Sequence, residues 1–338
     1  LVTMKHVGLN VAADPFVNSA LLDIRGGLVL AVADDPGMHS SQNEQDSRFY
    51  ADYAKIICLE PASQQEAYDM TREAFDLSEK HHIPVMIRLT TRLAHSRAGV
   101  VPSSPRAGNP LPEKVDSSGW ALLPAPARNR YDLLLARQKD FLAYSEGSGH
   151  NELYINPDFD DYGVLTTGLG LNYYEENLPD LPVRPSHLHI GAYPLPKEKI
   201  RKLAASVKKL VVVEEGMPFA ETAIRGVFPP EVEIRGKKDG FLPEAGELNP
   251  DIVRRALGLP ALPTVGVEAP KLPPRPPQLC AGCPHGDSYT VIKKIISGLE
   301  GTSVTSDIGC YALGAIPPYS IPETIVCMGA SVSMAKGA

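Results

Sequence analysis

The sequence predicts an α/β protein with a largely parallel sheet, and two observations carry that prediction. Continuous apolar runs of strand length, GGLVLAVADD, KIICLEPA, IPVMIRLTT and KKLVVVEEG, recur along the chain and end in acidic, polar or glycine turns, as strands covered on both faces do. Between them stand stretches of helical period, the alternation that feeds a parallel sheet. At 338 residues the chain is long enough for about two or three domains. A core can therefore form without disulfide staples.

In chain order, GGLVLAVADD is the clearest buried strand and runs into the polar stretch of residues 33–51, ADDPGMHSSQNEQDSRFYA. KIICLEPA and IPVMIRLTT are two further strands. SQQEAYDMTREAFDLSEKHH, between them, reads as one amphipathic helix. Ser63 is its expected N-cap with Glu66 completing a capping box; Ala67, Met70, Ala74, Phe75 and Leu77 supply the buried stripe. Residues 101–126 are rich in Pro, Ser and Gly and read as an exposed connection, after which RNRYDLLLARQKDFLAYSE is helical and docks back on the first part. A second α/β part follows: the strand DYGVLTTGLG entering a glycine turn, the strand HLHIGAYPLP, the basic surface helix KEKIRKLAASV and the strand KKLVVVEEG. Residues 260–277 are proline-rich and read as a stiff linker. The helix YTVIKKIISGLE comes next, and SVTSDIGCYALG and TIVCMGASVSMAKGA then give two more strand-to-glycine-turn units, the geometry that binds phosphorylated ligands at strand ends.

Composition excludes several classes. A net charge of −7 argues against nucleic acid as the main partner, and no apolar run approaches the ~20 residues that span a bilayer. The five cysteines, Cys58, Cys280, Cys283, Cys310 and Cys327, are scattered and odd in number. Reduced thiols in a cytoplasm fit that pattern better than a disulfide framework. The chain opens on Leu1 and stops at MAKGA inside what reads as the start of a glycine-rich helix, so a fragment is expected.

Several residues are candidates for chemistry. The loop of residues 33–51 follows a strand end, where ligands sit in open α/β sheets; read blandly, it is a solvated loop before a helix. His81 and His82 sit at a helix end, where a cation complements the dipole. His95 follows a strand and faces either a cleft or solvent. His187 and His189 share one strand face, a spacing able to hold a metal, but no carboxylate or cysteine lies near them in sequence. Cys280 and Cys283 in CAGCPH admit a zinc knuckle, a redox dithiol, an iron–sulfur site with Cys310, or a turn with two buried thiols.

DDPGMHSSQNEQDSRFYA, EPASQQEAYDMTREAFDLSEKHHIPVMIRLTTRLAHSR, CAGCPH, SDIGCYALGAIPP and MGASVSMAKG, in that order, resemble the thiamine-dependent 2-oxoacid:ferredoxin oxidoreductases. Among these the chain most resembles the large, alpha-type subunits of the indolepyruvate branch. The resemblance implies thiamine-diphosphate-binding folds with an intervening transketolase C-terminal-like domain. Residues 1–98 would be the later part of the pyrimidine-side domain, 99–150 a linker and connecting helix, and 151–260 the transketolase-like domain. Residues 261–278 would be the proline-rich linker and 279–338 the beginning of the pyrophosphate-side domain.

The implied reaction is oxidative decarboxylation of an arylpyruvate with coenzyme A to an aryl-acetyl thioester, with ferredoxin as electron acceptor and a smaller beta subunit as partner. Gly309, Cys310, Tyr311, Met328, Gly329 and Ala330 are the implied lining of the thiamine diphosphate site. Cys280, Cys283 and Cys310 are implied ligands of a [4Fe-4S] cluster, with a fourth beyond Ala338. The Mg2+-binding motif is likewise expected after Ala338 and the pyrimidine-activating glutamate before Leu1, so that the fragment by itself would be inactive. His39, Ser41, Asn43 and Arg48 are the candidate catalytic residues. Related pyruvate enzymes carry a carboxylate-binding arginine near the end of the strand matching LAVADD, where this chain has Asp34 and Asp35; Arg48, Arg92 or a group on segments outside this sequence then takes that role. A catalytically silent thiamine-fold binding or assembly module is the alternative, and a zinc or redox protein built on Cys280 and Cys283 a third reading.

Overall fold

The computed structural model describes residues 1–105, 108–110, 120, 122–225, 232–263, 272–273 and 278–337. It divides into two compact units, Leu1–Pro263 and Thr264–Ala338. Residues 264–271 and 274–277 of the expected linker, and residues 106–107, 111–119 and 121 of the expected connection, lie outside the described residues. No helix among the described residues is long and apolar enough to cross a membrane.

The strands of the first unit are β1 (Val2–Lys5), β2 (Val29–Asp34), β3 (Cys58–Leu59), β4 (Val85–Thr90), β5 (Leu153–Tyr154), β6 (Gly163–Thr167), β7 (Ser186–Ile190), β8 (Ala192–Tyr193), β9 (Lys209–Val213) and β10 (Glu233–Arg235). They form two five-stranded sheets of order β1-β2-β4-β3-β8 and β10-β9-β6-β7-β5. Each is parallel except for one antiparallel edge pair, β3 with β8 and β5 with β7. The expected α/β class with parallel sheets is the observed one. The apolar runs explain it: Val29, Val32, Val85, Met86 and Ile87 are all buried in the first sheet, and Val164, Leu165, Leu210 and Val212 in the second.

The helices of this unit are α1 (His6–Val11), α2 (Ala13–Ser19), α3 (Arg48–Ala54), α4 (Gln64–His81), α5 (Thr91–His95), α6 (Pro124–Gly147), α7 (Gly170–Asn177), α8 (Lys197–Ala205), α9 (Phe219–Ile224) and α10 (Pro250–Ala256). At the start of α4, Ser63 Oγ accepts from Glu66 N at 3.1 Å, while the Glu66 carboxylate accepts from Ala62 N at 2.6 Å. The capping box thus closes one residue earlier than its simplest form, and such a cap is worth about 1 kcal/mol. Met70, Ala74 and Leu77 are buried, whereas Ala67 and Phe75 are half-buried. Ser78 and His81 complete the inward face, and His81 meets Phe141 of α6 edge-on at 5.2 Å. Burial lowers the His81 pKa, which disfavours the cationic form expected to complement the helix dipole. Helix α6 docks on the first sheet's layer as expected, with Gln138 donating to Lys55 O at 3.0 Å and Tyr144 to Glu73 at 2.8 Å.

HLHIGAYPLP does not form one strand. The chain leaves the second sheet at Ile190 and enters the first at Ala192, with Gly191 alone between them. Gly191 N donates to His150 O and to Asn151 Oδ1, both at 2.9 Å, and Glu60 N donates to Gly191 O at 2.7 Å. A Cβ here would lie 3.1 Å from His150 O and 3.2 Å from Met70 Cε. Gly191→Val is accordingly expected to cost about 1–3 kcal/mol through overpacking, read as a lower thermal midpoint; an unchanged midpoint would show that the junction yields freely.

The second unit contains α11 (Pro284–Ile296), β11 (Thr305–Ser306), a 3-10 turn at Cys310–Ala315, β12 (Thr324–Ile325) and α12 (Ala330–Gly337). The two strands pair in parallel. Tyr289 of α11 is buried and donates to Tyr311 O at 2.6 Å, holding the helix against the 3-10 turn.

Candidate functional site

In the first unit the carboxyl ends of the two sheets meet over a buried network of charges. Asp34 ends β2, Arg88 lies in β4 and Glu60 follows β3; from the second sheet come Thr167 at the end of β6 and Glu214 and Glu215 after β9. Arg88 Nε donates to Asp34 at 2.7 Å, its Nη1 to Glu60, and its Nη2 to the carbonyl of Glu215 at 3.1 Å. Arg48 Nε donates to Asp46 at 2.9 Å; its Nη1 lies 3.0 Å from Glu214 and donates to Thr167 at 3.1 Å; its Nη2 donates to the carbonyls of Glu215 and Met217 at 2.9 Å. Tyr193 donates to Glu60 at 2.5 Å, and the buried Lys237 donates to the carbonyl of Gly216. A buried charge survives only when paired and hydrogen-bonded, and here each sheet supplies the other's partners.

The charges do not balance. Asp34, Asp46, Glu60, Glu214 and Glu215 face Arg48, Arg88 and Lys237, all buried. Burial pushes the carboxyls of Asp34, Glu214 and Glu215 up. Asp46 is also buried, yet the Arg48 and Arg88 guanidiniums overcome that and hold it down to about 2. A carboxyl raised in the folded state binds protons that the unfolded chain releases, so stability falls as pH rises from about 4 through the folded-state values. Asp46 acts in the opposite sense: its contribution is present above about 4 and is lost as pH falls toward 2. Glu214→Gln removes one raised group, and its unfolding midpoint is expected to fall less steeply with rising pH than the parent's. Parallel profiles would contradict the assignment.

The loop after β2 is organised by Asp35, which accepts from Lys5 Nζ (3.1 Å), His39 N (3.2 Å), Ser40 N (2.9 Å), Ser41 Oγ (2.7 Å) and Thr91 Oγ1 (2.7 Å). These donors hold its carboxyl well below the usual range against the effect of burial. Beside this loop, a pocket of about 560 Å³ opens at the carboxyl ends of β2 and β4, lined among others by His39, Arg92, His95 and Glu247. Glu247 Oε2 lies 3.0 Å from Arg92 Nη2 and 3.1 Å from His39 Nε2. The Arg92 guanidinium also lies 5.5 Å from the Tyr173 ring centroid.

The sequence candidates therefore separate. His39 lines the pocket, Ser41 is spent on Asp35, Asn43 is exposed on the same loop, and Arg48 is buried in the ionic network. Arg48 lines a separate pocket of about 570 Å³, but its side chain is buried and every guanidinium nitrogen is engaged, so of the two arginines expected to reach a carboxylate, Arg92 is the one with a half-exposed guanidinium at a cavity. His187 and His189 do share a face: Thr166 Oγ1 lies 2.9 Å from His187 Nε2 and 3.0 Å from His189 Nδ1. Burial pushes them down to about 3 and about 4, a buried neutral pair.

In the second unit, Gly309, Cys310 and Tyr311 follow β11, and Met328, Gly329 and Ala330 follow β12, at the carboxyl ends of two paired parallel strands. Gly329 has φ +85° and open space where a side chain would stand. At Gly309 a Cβ would lie 2.5 Å from the Tyr311 ring. These residues fit the close backbone approach that a diphosphate requires. Among the cysteines, Cys283 Sγ lies 3.4 Å and Cys310 Sγ 3.7 Å from His285 Nδ1, and Cys280 and Cys310 are both exposed. Among the described residues no three His, Cys, Asp or Glu side chains are placed to hold a metal ion.

Residues 31–110 match the family model "Pyruvate flavodoxin/ferredoxin oxidoreductase, thiamine diP-bdg". The whole chain aligns with indolepyruvate oxidoreductase subunit IorA of Archaeoglobus fulgidus at 40% identity, covering 56% of that protein, and with the Thermococcus kodakarensis subunit at 36%, covering 55%. The chain is similar along its whole length to these oxidoreductase subunits. It spans about half the length of these curated relatives. A solved 2-oxoglutarate:ferredoxin oxidoreductase from Magnetococcus marinus superposes with a TM-score of 0.54 at 15% identity over 75% of this chain and 52% of that one, a likeness of fold.

Within a 2-oxoacid oxidoreductase framework, the residues that sequence reasoning missed are Arg88, Glu60, Asp46, Glu214, Glu215 and Glu247. Five of these six had a visible signal or a near one. Arg88 interrupts VMIRLT, Glu60 ends CLEP, Glu214 and Glu215 end LVVVEE, and Asp46 stands two residues from Arg48; an ionisable group inside or against a buried strand demands a partner. Glu247 lies in a loop with no pattern.

Proposed function

We propose that this chain is part of an enzyme that oxidatively decarboxylates arylpyruvates, indolepyruvate among them, to the aryl-acetyl-coenzyme A ester. The observation that supports it is the alignment of the whole chain with IorA subunits at 34–40% identity. One arylpyruvate, one coenzyme A thiol and two oxidised ferredoxins give one thioester, one carbon dioxide, two reduced ferredoxins and one proton. On this reading residues 1–98 and 279–338 are parts of the pyrimidine-side and pyrophosphate-side thiamine domains, residues 151–260 are the transketolase-like domain, and a smaller beta subunit completes the enzyme.

Thiamine diphosphate, with Mg2+, supplies when bound the electron sink for decarboxylation. The chain's own residues bind and orient. Gly309, Cys310, Tyr311, Met328, Gly329 and Ala330 would hold the cofactor, their backbone approaching its phosphates. Arg92 binds the substrate carboxylate, and the buried network keeps the strand ends that carry the pocket in fixed register and free of water. Cys280, Cys283 and Cys310 would be three ligands of a [4Fe-4S] cluster whose fourth lies on another part of the enzyme. The test is coenzyme A- and arylpyruvate-dependent reduction of a viologen dye by the intact protein with its partner subunit. Reduction with indolepyruvate is the expected result; an intact protein that binds thiamine diphosphate but turns over no 2-oxoacid would instead establish a catalytically silent thiamine-fold module.

A further inference from the structure

We propose that Glu247 is an internal placeholder: its carboxylate occupies the subsite formed by Arg92 and His39, and the carboxylate of a small organic acid displaces it there. The proposal deepens the function given above and rests on it for the class of acid used as probe.

Glu247 differs from the other carboxylates at these strand ends in how it is held. Asp34, Asp46, Glu60, Glu214 and Glu215 are buried within the network. Glu247 instead bonds two half-exposed partners: the side chains of Arg92 and His39 are 41% and 53% exposed, and that of Glu247 is 18% exposed. Ion pairs of this kind are weak because water competes for both ends. The backbone on either side is pinned, however. Gly246 N donates to Glu44 at 3.1 Å, Gly37 N donates to the same Glu44 oxygen at 3.2 Å, and Leu248 N donates to the buried Glu215 at 3.2 Å. Release therefore needs a side-chain rotation and no loop movement.

What rotation exposes suits a carboxylate. The Arg92 guanidinium and the His39 imidazole already converge on one carboxylate oxygen, within 3.1 Å of it, and guanidinium pairs with carboxylates in a directional, charge-assisted way. The cavity of about 560 Å³ is large enough for a monocarboxylic acid, and His95, Ser40 and Ser96 stand on its walls. An acid seated there lies beside the loop after β2, the ligand position of an open α/β sheet.

The experiment measures binding of 3-phenylpropanoate, an unreactive analogue lacking the 2-oxo group, to the intact protein by calorimetry, with inorganic phosphate as a second arm. Glu247→Gln keeps the side chain's size and removes its charge, and is expected to bind 3-phenylpropanoate about three- to tenfold tighter than the parent. Arg92→Met is expected to weaken binding at least about tenfold, and Arg92→Lys to restore part of it; an unchanged circular dichroism spectrum certifies the fold of each. Equal affinity of the parent and Glu247→Gln, or of the parent and Arg92→Met, overturns the proposal. So does tighter binding of phosphate than of 3-phenylpropanoate. The readout requires no turnover, so a protein that oxidises no arylpyruvate can still show it, and its failure leaves the proposed reaction standing.

Discussion

Arg88→Met is expected to destabilise the first unit by about 3–5 kcal/mol, a lowering of the thermal midpoint on the order of 10 °C. Methionine nearly preserves the volume of the side chain but leaves Asp34 and Glu60 without the cation that sits between them. Asp34 already has one carboxylate oxygen, Oδ1, buried without a hydrogen-bond partner; its other oxygen keeps Ser47 N at 2.9 Å and Ser47 Oγ at 3.1 Å after the change. Adding Asp34→Asn preserves an acceptor for Ser47 while removing one stranded charge, so the double variant is expected to recover part of the loss. A loss below about 1 kcal/mol in the single variant would mean that the network is wetter or weaker than its burial indicates.

Arg92→Met in the intact protein is expected to lower kcat/KM for an arylpyruvate about 10- to 100-fold, the effect of removing one charge-assisted hydrogen bond to a carboxylate. The loss should fall mainly on KM, because that carboxylate is charged before the reaction begins and the bond does not depend on reaching the transition state. Steady-state kinetics separate the two parameters. A variant with parental KM would move the carboxylate site elsewhere, and a variant with collapsed kcat alone would make Arg92 part of the chemistry.

These two arginines also show what was legible in the sequence. Strand and helix positions were readable because burial on both faces leaves unbroken apolar runs and an amphipathic helix leaves a stripe; β2, β4, α4 and β9 all follow such patterns. Candidate chemistry in the loop after β2 was readable from its place at a strand end. Which side chains would meet was not. Arg48 bonds Thr167 across 119 residues of sequence and the carbonyl of Met217 across 169, and Arg92 meets Glu247 across 155. Pairings of that range are fixed by how the two sheets dock, and local periodicity carries no trace of docking. The same limit split HLHIGAYPLP between two sheets, since the switch at Gly191 depends on the space left by His150 and Met70. The approach of Cys283 and Cys310 to one ring nitrogen of His285 was likewise not readable from local pattern, since Cys310 lies 25 residues further on.

The most direct measurement of the proposed activity identifies the product formed from indolepyruvate by the intact protein with its partner subunit, coenzyme A and an electron-accepting dye. The expected product is the indolylacetyl-coenzyme A thioester, with one carbon dioxide released and two electrons passed to the dye for each thioester. Indoleacetaldehyde with no dye reduced would show decarboxylation without oxidation and contradict the account, as would recovery of unchanged indolepyruvate.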